Sequence, residues 1–484
     1  MKRATSAFAS RLAFVLLVAA LACRCLTWPK TSEWGLPSDL LAHDLTELTL
    51  PSTVDRVDWL PRNLKVLDVS HSAVTDLSHL PAGLRKLNAS YTPVSDLSNL
   101  PAGLEDLDVR TTDLDNLDHL PTSLIRLSVG STRITNINTL PPHLEELYIH
   151  GAILADLPAL PATLTVLRLE GPTIESLEGL PPSLRSLTLS GTRVTSLKGL
   201  PLALERLELE SNAKLPAIDS LPTYLRRLII DQPTIPPRLN DLPLLTALDA
   251  KSATPKKGSP LPPSLTLLRV RALPITIPKF PPDLRTLGLI GPVRRSLEDL
   301  HLPSTITSLE LDYCLNNSLD FSTYPSLQQL SLRFCRLARL AHLPAGLLSL
   351  DLSGTPLRDL PPLPATLRVL RLRSTHLTAL PALPGELRVL DLDGSNEITA
   401  LPALDKNQSL QSLFIGNTSI ATLPRLPPHL KVLDITSTRI KDFKSIVGGL
   451  PEGLEELRLA PGQISALGHL PSRLRNFKFL LREP

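Results

Sequence analysis

The chain has 484 residues, of which 110 are Leu and 48 Pro, against 17 aromatics and one Met. Roughly one Pro in ten removes too many backbone donors for long helices or central strands, and so much Leu excludes disorder. The formal charge of +3, from 50 basic and 47 acidic residues, gives no general attraction to nucleic acid or to an anionic membrane.

In chain order, Lys2, Arg3 and Arg11 precede an unbroken apolar run from Leu12 to Cys23, with Ala20-Leu21-Ala22 at its end. Residues 1–25 read as a signal peptide or lipoprotein-type export signal. A dozen apolar residues are too few to cross a bilayer about 30 Å thick. Cys23 directly follows the candidate cleavage site and is a candidate for lipidation. A cleaved signal, an uncleaved anchor and a lipid on Cys23 all fit. The expected destination is secretion or the cell envelope, with membrane contact only through this signal or that lipid. Residues 26–44, with Trp28 and Trp34 and followed by Trp59, read as an N-terminal cap.

From residue 45 to 484 the chain repeats itself. Leu-Pro recurs every twenty residues at Pro61, Pro81, Pro101, Pro121, Pro141, Pro161, Pro181 and Pro201, each followed by L-x-x-L-x-L, as in Leu184-Leu187-Leu189. With small slips about 22 such units can be counted, the first at Leu45-Leu48-Leu50 and the last at Leu474-Phe477-Phe479. The stretch LPPSLRSLTLSGTRVTSLKG, from Leu180 to Gly199, carries the full cycle. Register drifts over residues 231–316, where Pro236-Pro237, Pro262-Pro263 and Pro281-Pro282 cluster and Lys251, Lys256 and Lys257 decorate a return loop. The last unit, with Phe477 and Phe479 in place of Leu, reads as a C-terminal cap.

This pattern is that of a leucine-rich repeat. It resembles the short bacterial class of the YopM and IpaH type, found in secreted effectors of Gram-negative pathogens, over residues 36 to 480. Thr holds the position usually given to Asn, at Thr92, Thr112, Thr132, Thr192, Thr355, Thr375, Thr418 and Thr438, with Asn212 a rare exception. The resemblance implies a β-rich solenoid, a horseshoe or superhelix with parallel strands on its concave face, and a role in the interaction of a pathogen or symbiont with its host. The IpaH-type ligases add a catalytic domain whose nucleophilic Cys is followed two residues later by Asp. Neither Cys314-Leu315-Asn316 nor Cys335-Arg336-Leu337 matches, so the chain holds the recognition half without the reactive half.

Physical chemistry accounts for the period. L-x-x-L-x-L makes a short parallel strand with Leu inward, the return path adds residues such as Val74, Leu77 and Leu80, and Pro sits in a turn where its missing N–H costs least. Short return paths containing Pro favour extended, polyproline or 3-10 geometry over α-helix. The Thr ladder is expected inside the bend after each strand, its hydroxyl bonding backbone of the neighbouring coil. Cys314 and Cys335 occupy that ladder position in consecutive units. Their Cα atoms are therefore expected about 5 Å apart, a separation that suits either two reduced thiols or a cross-coil disulfide.

Motifs of other chemistry do not emerge. The 11 His lack the paired spacing of a zinc site, no Gly-rich loop precedes a helix to cradle phosphate, and the scattered Ser, His and Asp define no triad. No cofactor, metal or enzymatic activity is expected.

Function then falls to the strand positions between the second and third Leu, expected to face solvent on the concave side. That column reads Asp68, Asn88, Asp108, Ser128, Tyr148, Arg168, Thr188 and Glu208, and later Asp351, Arg371, Asp391, Phe414, Asp434 and Arg458. Charges of both signs with isolated aromatics suit an extended protein partner better than a basic nucleic-acid groove. Asp108, Tyr148, Arg168, Glu208, Arg371, Phe414 and Arg458 are the candidate contact residues. The leading expectation is an exported, non-enzymatic, monomeric protein-binding scaffold of the effector or virulence-associated kind. An envelope-anchored lipoprotein and the recognition part of an effector ubiquitin ligase are the alternatives.

Overall fold

The computed structural model describes residues 46–460 except 51, 131–132, 136, 152–153, 155–156, 172, 211–217, 219–220, 234, 237, 254–260, 272–279, 293–300 and 443–448, and in addition Gln463 and the backbone of Lys478–Leu481. The export signal, Cys23, Trp28, Trp34, Asn212, Thr132, Lys256, Lys257 and Phe477 lie outside these residues, as does the side chain of Phe479. Contacts divide the chain into two units, Met1–Gln232 with Pro236–Arg238, and Pro233–Ile235 with Leu239–Pro484.

Among the described residues of the first unit, ten strands follow one another: β1 (Glu47–Thr49), β2 (Val66–Asp68), β3 (Lys86–Asn88), β4 (Asp106–Arg110), β5 (Arg126–Gly130), β6 (Glu146–His150), β7 (Val166–Glu170), β8 (Ser186–Ser190), β9 (Arg206–Glu210) and β10 (Arg227–Ile230). Each pairs in parallel with the next, residue for residue, so that Leu167, Leu187 and Leu207 stand side by side.

The second unit repeats the arrangement with β11 (Ala247–Ala250), β12 (Leu267–Arg271), β13 (Thr286–Ile290) and β14 (Ser308–Glu310), all parallel. Next come β15 (Ser318–Leu319), β16 (Gln329–Ser331), β17 (Arg339–Leu340) and β18 (Ser349–Asp351). The main ladder runs β14–β16–β18, while β15 and β17 form a separate two-strand ladder. It continues through β19 (Val369–Arg371), β20 (Val389–Asp391), β21 (Ser412–Phe414), β22 (Val432–Asp434), β23 (Glu456–Leu459) and β24 (Lys478–Leu481). The segment predicted to be irregular keeps four strands, and the boundary between the units falls inside it.

One coil illustrates why the sequence folds this way. Leu184, Leu187 and Leu189 are fully buried, and Val194 and Leu197 close the same core from the return path. Each such side chain contributes about 1.5–3 kcal/mol through loss of contact with water. The carbonyl of Pro181 accepts the Leu184 N–H at 3.1 Å, closing a turn directly before the strand. Pro101 and Leu104, and Pro344 and Leu347, make the same turn. Leu-Pro therefore marks a turn at which the chain re-enters the sheet. Helix is nearly absent among the described residues; Leu239–Asp241 forms a 3-10 turn.

Two columns of hydroxyls divide the labour differently from expectation. The ladder hydroxyls mostly bond their own coil: Thr92 donates to Ala89 O at 2.6 Å, Thr355 to Leu352 O at 2.6 Å and Thr418 to Ile415 O at 2.7 Å. They cap the end of the strand three residues back, because the sharp bend brings that carbonyl closer than the neighbouring coil. Cross-coil hydroxyl bonds come instead from the residue just before the first Leu of a unit. Ser183 reaches Leu164 O at 2.8 Å, Thr163 reaches Leu144 O at 2.7 Å, and Ser264 and Thr366 do the same in the second unit.

Cys314 and Cys335 hold neighbouring ladder positions, with Cα atoms 4.5 Å apart and sulfurs within bonding distance. Both are fully buried. Ser395 occupies the same position later in the chain, where its hydroxyl spans to Leu372 O at 2.6 Å and receives the Thr375 N–H at 3.0 Å. The column thus accepts Thr, which bonds its own coil, as well as Ser and Cys, which link consecutive bends.

Candidate functional site

The strand column singled out by the sequence is one physical row in each unit. Register places Asp108 beside Ser128, then Tyr148, Arg168, Thr188 and Glu208. In the second unit it places Asp351, Arg371, Asp391, Phe414, Asp434 and Arg458 in succession. Neighbours are about 4.8 Å apart across such a ladder, so consecutive side chains of the row stand side by side.

Most of the charges are bound to one another. Asp108 holds Arg110 through two oxygens, at 3.0 Å from Nε to Oδ1 and 2.6 Å from Nη2 to Oδ2. Tyr148 donates its hydroxyl to Glu146 at 2.9 Å. Burial, reinforced by that carboxylate, raises the Tyr148 phenol above its ordinary range. Arg168 pairs with Glu170, which also takes His150 at 3.0 Å. Burial would raise the Glu170 carboxyl, but the bonds from His150 and Arg168 outweigh it and leave the net shift downward.

Glu208 corrects the expectation of a solvent-facing residue: it is only 6% exposed. Arg206 Nε lies 2.9 Å from one carboxylate oxygen and the Thr188 hydroxyl 3.0 Å from the other, and these neighbours roof it over. Its charge fixes the Arg206 guanidinium, which is the exposed partner. Arginines therefore form the accessible layer and carboxylates the layer beneath.

The second unit follows that scheme. Arg371 is exposed. Arg373 bonds Asp393 at 2.7 Å and lies 3.8 Å from Asp391. Arg458 lies over the Phe414 ring, with Cζ 5.2 Å from its centroid, while its Nε meets Glu456 at 2.5 Å and its Nη1 stands 3.7 Å from Asp434. Burial raises the Asp391 carboxyl above the usual carboxylate range, because the lowering by the Asp393 N–H and by Arg373 does not offset its desolvation.

A second set of exposed groups escaped the sequence reading. The bend after many of the strands uses a left-handed residue, supplied by Gly at Gly191 (φ 61°), Gly354 (72°) and Gly394 (77°). Tyr91, Tyr313 and Phe334 adopt it at 58°, 64° and 57°. Bulky side chains are rare in that region and cost stability there. His71 stacks on Tyr91 with centroids 4.3 Å apart, and Tyr313 on Phe334 at 5.1 Å, with half of each Tyr and Phe exposed. Aligning the units by phase would have revealed aromatics in a glycine column.

Among the described residues no group of three or more His, Cys, Asp or Glu is placed to hold a metal, and no helix is long and apolar enough to cross a membrane.

Against known proteins, no protein-family profile and no curated protein matches the chain. Solved structures do. YopM from Yersinia enterocolitica WA-314 is 31% identical, over 87% of this chain and 92% of its own, with a TM-score of 0.49. The chain belongs to this leucine-rich repeat family. YopM from Yersinia pestis, described as a leucine-rich effector protein, is similar at 22% identity over 87% of this chain and 90% of its own, with a TM-score of 0.34. CroV588, described as a circular leucine-rich repeat protein, is similar at 19% over 86% and 72%, with a TM-score of 0.45. Family membership rests on the identity shared with the first of these. In this leucine-rich repeat protein Thr holds the ladder at Thr92, Thr112, Thr355, Thr375 and Thr418.

Proposed function

We propose that this leucine-rich repeat protein is a non-enzymatic scaffold that binds another protein along its strand face. Carrying this reading are the rows, one in each unit, in which Tyr148 and Phe414, half-buried, interrupt a lattice of paired Arg and carboxylate groups. A purely solvated face gains nothing from aromatic groups there, whereas aromatic and Arg side chains are the groups that dominate protein interfaces. In keeping with its relative described as an effector, we read the chain as an exported bacterial protein acting as an effector.

Affinity capture with the mature chain tests the scaffold. Tyr148→Ala or Phe414→Ala is expected to weaken partner retention tenfold or more while leaving the melting temperature within a few degrees. Retention unaffected by both changes removes the strand face from consideration.

Export carries its own expectation at Cys314 and Cys335. In an oxidising compartment the two buried thiols, already in contact, are expected to join as a disulfide. Protein prepared without reductant should then take up no thiol probe at either site after unfolding. One probe on each would show that they remain reduced ladder residues. The reading of an envelope lipoprotein rests on Cys23 directly after the apolar run, and the reading of a ligase fragment on the resemblance to the IpaH type alone.

A further inference from the structure

Thr375 and Ser395 show what the place held by Cys314 and Cys335 looks like without a covalent link. The Ser395 hydroxyl donates to Leu372 O at 2.6 Å, accepts the Thr375 N–H at 3.0 Å and lies 2.9 Å from the Thr375 hydroxyl. Around the sulfurs the equivalent atoms recur: Leu311 O stands 2.7 Å from Cys335 Sγ, and the Cys314 N–H points at that sulfur from 3.1 Å. A thiol on Cys335 therefore has a carbonyl to donate to and an N–H to accept, so reduction leaves neither backbone group buried and unpaired. The disulfide fits the same bends, whose Cα atoms are 4.5 Å apart. Both oxidation states are compatible with one arrangement of the coils.

What differs between them is how firmly the two bends are held. Each cysteine directly follows an aromatic residue in the left-handed region, Tyr313 at φ 64° and Phe334 at 57°. That conformation costs a bulky side chain stability and persists only where its surroundings hold it. The two rings stack on each other and are half exposed. Backbone bonds tie the same bends, from the Tyr313 N–H to Arg333 O at 2.8 Å, from the Phe334 N–H to Ser353 O at 2.8 Å and from the Arg336 N–H to Cys314 O at 2.9 Å. In the first unit His71 and Tyr91 repeat the stack in left-handed bends without sulfur, and the residues that follow them, Ser72 and Thr92, bond their own coils.

We propose that Cys314 and Cys335 form a redox-set clasp on the exposed Tyr313–Phe334 pair. The disulfide fixes the two bends to each other; the dithiol, hydrogen-bonded as Thr375 and Ser395 are, lets them open while the coils stay folded. A covalent link removes the open conformations of the segment it closes, and the strained aromatic bends are where opening begins. Unlocking the clasp takes two electrons and two protons from a dithiol, which becomes a disulfide while each cysteine sulfur gains a hydrogen. Both sulfurs are fully buried, so the reductant reaches them only when the bends part, and exchange is slower than at an exposed cystine. The clasp is independent of whether the strand face binds a protein.

Amide hydrogen exchange of the full chain, read by mass spectrometry after oxidation with glutathione disulfide and again after reduction with dithiothreitol, tests it. Reduction is expected to speed exchange about tenfold or more in the peptides carrying Tyr313, Phe334 and Arg336. The peptides carrying His71 and Tyr91 should keep their rates, and the far-ultraviolet circular dichroism should not change. Cys314→Thr combined with Cys335→Ser, which installs the Thr375–Ser395 arrangement, should exchange at the reduced rate and ignore the reductant. The native chain in its two oxidation states supplies the decisive comparison with no substitution at all. Failure of glutathione disulfide to link Cys314 with Cys335, equal exchange in the two states, an equal rise at His71 and Tyr91, or loss of the dichroism on reduction overturns the proposal.

Discussion

Replacing Leu187 with Ala is expected to cost about 3–4 kcal/mol, the range for emptying a dry, well-packed site. Leu187 is the middle apolar residue of β8, fully buried, and lies in register between Leu167 and Leu207, which are equally buried. Leu184 and Leu189 of the same coil close over it from either end of the strand. None of these neighbours can collapse into the cavity without breaking its own place in the parallel ladder. Because each coil contacts chiefly the coils on either side, the damage should remain local. Urea unfolding followed by far-ultraviolet circular dichroism should show an early partial transition instead of a uniform shift of the curve. The exposed Lys198→Ala change, one turn away on the return path, should stay within about 0.5 kcal/mol. A Leu187→Ala loss below about 1 kcal/mol would mean that the core is not the continuous packed column described above.

Gly130→Ala should be nearly as damaging, by a different route. Gly130 ends β5 with an ordinary backbone conformation, in register with His150. A Cβ at this site would stand 2.4 Å from the His150 carbonyl oxygen and 2.7 Å from the His150 Cβ. The obstruction is largely backbone, so rotation of a side chain does not relieve it and the strands must part. Overpacking of this kind costs about 1–3 kcal/mol. Its effect should spread to Tyr148, two residues before His150 on the same strand, so capture of a partner should weaken along with stability. Gly453→Ala is the control, because nothing among the described residues lies within 4 Å of a Cβ placed there. It should be neutral or stabilising by up to about 1 kcal/mol through loss of unfolded-state freedom. Differential scanning calorimetry of the two variants compares them directly; equal melting temperatures would refute the close approach at Gly130.

Much of the candidate site was legible because a solenoid turns sequence phase into position. Once Leu64, Leu84 and Leu104 are recognised as equivalent, so are Asp68, Asn88 and Asp108, and adjacency in the sheet follows from a difference of twenty in residue number. The contact of Cys314 with Cys335 was predictable for the same reason. Phase gives a side chain its neighbours, but not its depth among them. Glu208 and Asp434 share a column with exposed Arg371 and Arg168, yet arginines close over the first two because their long side chains fold back across a shorter carboxylate.

The ladder hydroxyls make a related point. Thr92 was placed in the bend by period, but that its hydroxyl bonds its own coil at Ala89 O, while cross-coil bonds come from residues such as Ser183, was decided by which carbonyl the bend brings within reach. The sequence by itself determined the repeat, the strand register, the buried Leu column and which residues share the column between the second and third Leu, since these follow from alternation and period alone. Only the tertiary structure decided which charges in that column are neutralised, that Arg458 covers one side of Phe414, and that Tyr313 and Phe334 stack at strained bends. These depend on the lateral reach of long side chains between coils, a distance that a linear pattern does not encode.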